Sequence, residues 1–167
     1  MKKMSLYLVI TSLMLLSGLI AQEGYSVGLN VNTPIMSGDY FDGETGLGMG
    51  VVVSTPYSFD LGTYSVGVGG GIELANMGAN DDFSYTGFYV SFSSTVYELA
   101  SGPLSVYAGL GIYGGLAVTG ALTYDYPVPD QPIVIQPYAR TALLLDADGN
   151  GNSSYLMSIG AMINYNF

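Results

Sequence analysis

From residue 25 onward the chain alternates apolar with small polar positions in short runs, a period of two that belongs to β-strands. In YSVGLNV the apolar parity is Tyr25, Val27, Leu29 and Val31, set against Ser26, Gly28 and Asn30. LGMGVVV sets Leu47, Met49, Val51 and Val53 against Gly48, Gly50 and Val52. YSVGVGGGIEL places Tyr64, Val66, Val68, Ile72 and Leu74 opposite Gly67, Gly69, Gly71 and Glu73, and FYVSF places Phe88, Val90 and Phe92 opposite Tyr89 and Ser91. Gly, Pro, Asp and Asn separate the runs, and no helical periodicity competes with them. The pattern predicts an all-β fold.

The alternation continues to the last residue. Ile159, Ala161, Ile163, Tyr165 and Phe167 share one parity in SIGAMINYNF, with Gly160, Met162, Asn164 and Asn166 on the other. A terminus that frays in water has no reason to end on a bulky apolar side chain, so something must bury this strand to its end.

Between these limits the number of strands is set by the turns. Splitting residues 104–118 at Gly114-Gly115, a dipeptide suited to a two-residue hairpin turn, gives strands near 104–113 and 116–126. YPVPDQP makes the next turn, since proline donates nothing to a ladder. IQPYARTALLL and SYLMSIGAMINYNF form the last pair. The total is eight, and a barrel whose ends lie on one side of a membrane requires an even number. GTYSVGVGGGI at 62–72 recurs forty positions later as GPLSVYAGLGI, which points to reuse of an up-strand plus a down-strand, or to convergence on a glycine-rich alternation. A period near forty also occurs in β-propellers, but two copies cannot close one.

The start of the chain adds a compartment. MKKMSLYLVITSLMLLSGLIAQ has Lys2 and Lys3, an uncharged run from Met4 to Ile20 and Ala21, the pattern of a secretory signal peptide spanning residues 1–21. An uncleaved transmembrane helix is the competing reading, and Leu19 is large for its place before the cut. Cleavage leaves 167 − 21 = 146 residues, a single domain over 22–167. This mature chain holds one cation, Arg140, against 13 carboxylates, a charge of 1 − 13 = −12, which excludes nucleic acid as a partner. Cysteine and histidine are absent throughout.

Charge also decides what the two faces meet. A soluble surface is typically about 25–35% charged, yet the predicted strands contain only Glu73, Asp125 and Arg140. Asp39, Asp42, Glu44, Asp60, Asp81, Asp82, Asp146 and Asp148 fall in or beside connections. Gly, Ser, Asn and Tyr on the polar parity coat water poorly and line a narrow barrel well. The expected architecture is a single antiparallel up-and-down transmembrane β-barrel of eight strands, apolar outside and uncharged within. Tyr25, Tyr57, Phe59, Tyr64, Tyr97, Tyr124, Tyr126, Tyr165 and Phe167 gather at one set of strand ends, and Phe83, Tyr85, Phe88 and Tyr155 at the other, as two interfacial girdles would.

With these features the chain resembles the small eight-stranded outer-membrane β-barrels of Gram-negative-type bacteria, the broad OmpA-barrel, OmpX and OmpW-like group. The resemblance covers the architecture of the mature chain and no family-specific functional motif. It implies a bacterial outer-membrane location, a lipid environment and a monomer. It also implies that Ile159, Ile163, Tyr165 and Phe167 are the signal read by the barrel assembly machinery. The barrel enzymes of such membranes use an active-site histidine, which this chain lacks. No Cys or Lys remains in the mature chain as a nucleophile, and Asp39, Asp42 and Glu44 read as a solvated loop rather than an acid–base pair. The expectation is a non-enzymatic barrel with acidic surface loops, structural or interactive in the envelope. A narrow passage for small apolar ligands, as in OmpW, and a soluble secreted β-domain are the alternatives.

Two further sites are proposed by the residues. Glu73 and Arg140 share the polar parity and would pair inside the lumen, since an unpaired charge there is costly. Tyr89, Tyr107, Tyr113 and Tyr138 are candidates to fill the same space. In DADGNGN, Asp146, Asp148 and Asn150 present oxygens at alternate positions before Gly151, the opening of a calcium loop. Met157 stands where the bidentate glutamate belongs, so weak calcium binding or a plain turn are the two readings, with no other cofactor expected.

Overall fold

A computed structural model of the chain describes residues 24–38, 46–77, 84–112, 115–145 and 153–167. The signal-peptide expectation therefore lies outside the described residues. The alternating runs form nine strand segments: β1 Ser26–Ser37, β2 Gly46–Leu61, β3 Tyr64–Met77, β4 Ser84–Leu99, β5 Gly102–Ile112, β6 Leu116–Tyr124, β7 Tyr126–Pro127, β8 Ile133–Leu145 and β9 Ser154–Asn166. β6 and β7 are one spanning strand interrupted at Asp125, because both pair with β8 in a single register, Thr123 with Tyr138 and Tyr126 with Ile135. Each spanning strand pairs antiparallel with its neighbours, and β9 returns to β1. The result is a closed eight-stranded up-and-down barrel with no free edge.

Closure requires the strands to tilt, and the partner registers record how far. Stepping across the ladder from Ser26 through Ser54, Gly69, Ser91, Gly109, Thr119, Ala142 and Leu156, the path re-enters β1 at Ser37. That stagger is 37 − 26 = 11 residues, one of them the extra residue of a bulge between Pro34 and Met36. Pro56 likewise sits in a register shift between Ser54 and Ser58, where a missing N–H breaks no ladder bond. These irregularities supply the bending that a closed sheet needs.

The polar parity faces inward. Asn30, Glu73, Ser91, Thr123, Gln136, Ser158 and Asn164 are buried, while Leu29, Leu110 and Ile163, all outward, are 60%, 53% and 56% exposed. An apolar band of this extent would drive aggregation in water, whereas lipid covers it without cost. The barrel is transmembrane, and the soluble alternative has the wrong face outside.

The short connections lie at the end that carries both described termini. Gly62 begins the two-residue turn between β2 and β3 with φ +65°, a conformation other residues adopt reluctantly. At the opposite end, Ile112 pairs with Leu116, leaving three residues, 113–115, where a two-residue turn was expected. The reason is parity: a turn at 114–115 would shift the register by one residue and set inward Gly111 against outward Val118. The observed register instead pairs Gly111 with Ala117, both buried. Pro127, assigned to the turn from sequence, pairs with Val134, so that turn begins at Val128. The two copies of the repeated stretch are β3 and β5, two strands apart and running the same way.

Candidate functional site: the barrel lumen

The inward column of β8 reads, from the short-turn end, Gln136, Tyr138, Arg140, Ala142 and Leu144, so one strand samples three layers of the lumen. Arg140 occupies the middle layer. β3 lies four strands away from β8 in either direction around the barrel, which puts Glu73 on the opposite wall. The two side chains meet across the full diameter. Arg140 Nη2 donates to Glu73 Oε1 at 2.7 Å and Nη1 donates to Oε2, while Asn32 Nδ2 donates to Oε1 at 2.9 Å. Glu73 is fully buried and the Arg140 side chain is 11% exposed. Bidentate geometry and a third donor compensate a carboxylate that has lost its water.

Glycines make the room for this layer. A Cβ at Gly71 would lie 2.5 Å from Val51 O and 2.7 Å from Tyr89 Oη, so only hydrogen at this position lets the Tyr89 ring lie against the wall. Tyr89, Tyr107 and Tyr138 enclose a cavity of about 60 Å³ together with Asn30, Thr119 and Arg140. Tyr113 lies outside the described residues. Toward the connections at 38–45 and 146–153 the lumen turns apolar, with Ala117, Ala142, Leu144 and Leu156 buried.

The layer at the short-turn end was missed by sequence reading as a site. Asn164 Nδ2 donates to Gln136 Oε1, and Gln136 Nε2 donates to Asp125 Oδ1 at 2.6 Å. Thr123 Oγ1 lies 3.3 Å from Asp125 Oδ1, and Ser105 Oγ lies 3.5 Å from Oδ2. The sequence shows Asp125 as a charge within a strand, and its parity, shared with Thr123 and Ala121, is the signal that points it inward. Tyr107 separates this layer from the inner cavity and lines both.

The remaining candidates divide cleanly. Asp146, Asp148 and Asn150, and with them the calcium expectation, lie outside the described residues, as do Asp39, Asp42 and Glu44. Ile159, Ile163, Tyr165 and Phe167 all project outward from β9 and are 43–56% exposed. The Phe167 side chain lies on the parity that faces lipid, and its only described ring partner is Tyr165, edge-on at 4.9 Å. Its backbone is nonetheless tied down, donating to Tyr25 O at 2.9 Å and accepting from Gly24 N at 3.2 Å.

Chemically, the lumen offers hydroxyls, amides, one neutralised ion pair and one carboxylate. The Glu73–Arg140 contact crosses the diameter at the middle layer. No family model matches the chain, and no curated protein matches it. Among solved structures, a chain described as "De novo design of transmembrane beta-barrels" is similar over 86% of this chain and 97% of its own length, with 12% identity and a TM-score of 0.49.

Proposed function

We propose that the protein is a non-enzymatic integral barrel of a bacterial outer membrane, with a structural or surface-interaction role in the envelope. The observation that carries this reading is the inversion of the barrel: lipid-compatible outside, and spanned inside by a buried ion pair that fills its diameter. A barrel so filled serves as an anchor for what its connections present, rather than as a conduit. The connections 38–45, 78–83 and 146–153 contain Asp39, Asp42, Glu44, Asp81, Asp82, Asp146 and Asp148 and no Lys, Arg or His. All three leave the same end of the barrel, opposite the end where Gly24 meets Phe167. That end therefore carries the acidic loops, and in this reading it faces outward from the cell. The likeness to the OmpA-barrel, OmpX and OmpW-like group, and recognition of the β9 ending by the assembly machinery, belong to the same proposal.

Fractionation of expressing cells combined with gel migration of unboiled and boiled samples tests it. The protein is expected in the outer-membrane fraction, with the unboiled band migrating apart from the boiled one. Recovery as a soluble periplasmic protein would overturn the reading.

A further inference from the structure

We infer that the mouth of the lumen at the short-turn end is a binding site for a primary ammonium group, with Asp125 as its counter-ion. A cavity of about 360 Å³ opens there, lined by Ser26, Ser54, Asp125, Gln136, Asn164 and Asn166 among others. Hydroxyls and amides share its walls with Pro103, Pro127 and Val134, and its single charged group is the Asp125 carboxylate.

The backbone is shaped to put that carboxylate in place. Asp125 interrupts the β6–β7 strand, and its N–H donates to Pro103 O at 2.9 Å. Gly102 takes φ +150° at this point, and a Cβ there would stand 1.9 Å from Asp125 O. Glycine is the residue that permits so close an approach.

The hydrogen bonds are unevenly shared between the two carboxylate oxygens. The amide chain from Asn164 through Gln136 ends on Oδ1, while Oδ2 receives only the 3.5 Å contact from Ser105. An ionised carboxylate has about four acceptor positions, so Oδ2 keeps capacity toward the cavity. Among the described residues the sole cation is Arg140, which is committed to Glu73 in the layer above. The chemistry that complements this site is a positive charge carrying N–H donors. A calcium ion fits poorly, because it takes 6–8 oxygen ligands, usually including several carboxylates. Among the described residues no group of three or more acidic, His or Cys side chains gathers. A primary ammonium needs only one carboxylate and a few neutral acceptors, which is what the site holds.

The test is ethylammonium chloride titrated into the full barrel in non-ionic detergent, read by NMR at the Gln136 side-chain amide and the Asp125 backbone amide. Saturable shifts are expected in the wild type. Asp125→Asn, which keeps an acceptor for Gln136, is expected to bind at least tenfold more weakly, and Asp130→Asn on the exposed rim to bind as the wild type does. Tetramethylammonium, charged but without N–H donors, is expected to shift these signals less in the wild type, a comparison that stands even if a variant fails to fold. A soluble amine and a lipid headgroup share this chemistry: shifts in phosphatidylethanolamine nanodiscs that are absent in phosphatidylcholine nanodiscs would assign the headgroup, and their absence a soluble ligand. Equal affinity of wild type and Asp125→Asn, equal response to the two cations, or no saturable shift would overturn the inference.

Discussion

On the inward column of β3, Gly71 keeps the wall clear for a tyrosine ring while Glu73, two residues on, crosses the lumen to Arg140. Gly71 answers to its neighbour on β4 and Glu73 to the opposite wall, and the ion pair is the more consequential. Removing one partner leaves an uncompensated buried charge, a loss of roughly 3–5 kcal/mol, whereas an apolar pair of similar volume is often neutral. Arg140→Met is therefore expected to lower unfolding free energy by that amount in urea titrations of the lipid-inserted barrel. The double change Glu73→Met with Arg140→Met should recover most of the loss, apart from the Asn32 donor left unpaired. A double variant no more stable than the single one would show that the pair is net stabilising in its own right. Parity placed Glu73 and Arg140 on the inward face, and the cost of a lone buried charge predicted that they pair. That they stand at one height on facing walls was not legible, because 67 residues separate them.

At the scale of elements, the seam between β9 and β1 closes the barrel and holds the residues expected to guide assembly. Phe167 contributes two terminal backbone hydrogen bonds and an outward ring. Each such hydrogen bond is worth about 0.5–1.5 kcal/mol, so deletion of Phe167 should change refolding of purified protein into detergent only modestly. In cells the same deletion is expected to lower the membrane-inserted fraction several-fold while export continues, as measured by the unboiled folded band. Equal losses in both settings would make the ending an ordinary strand end. Alternation and the short turns were readable in the sequence here, since both depend on neighbours along the chain. The three-residue connection at 113–115 was not, because its length follows from which faces β5 and β6 must share.

For the whole molecule, the outward band predicts a depth profile. Leu110, paired with Val90 near the middle of β4, and Leu61, at the short-turn end of β2, are both exposed on the outer face. An arginine on the lipid face costs roughly 2–4 kcal/mol at the bilayer midplane and about 0–1 near the interface. Leu110→Arg should accordingly destabilise the inserted barrel far more than Leu61→Arg, as judged by urea unfolding in vesicles. Equal effects would mean that the band does not sit across the hydrocarbon. Tyr57, Tyr64, Tyr97 and Tyr126 are exposed around the same end as Leu61, where a polar-tipped ring bridges hydrocarbon and water.

By itself the sequence determined the all-β class, the number of spanning strands and which face of each meets lipid. A period of two is a local property, and the polarity of each parity names its solvent. Only the tertiary structure decided which inward residues meet. Closure adds every strand's register into one stagger, and that sum sets Glu73 across from Arg140 and gathers Asp125, Gln136 and Asn164, from three different strands or connections, at one mouth. No window along the chain contains it.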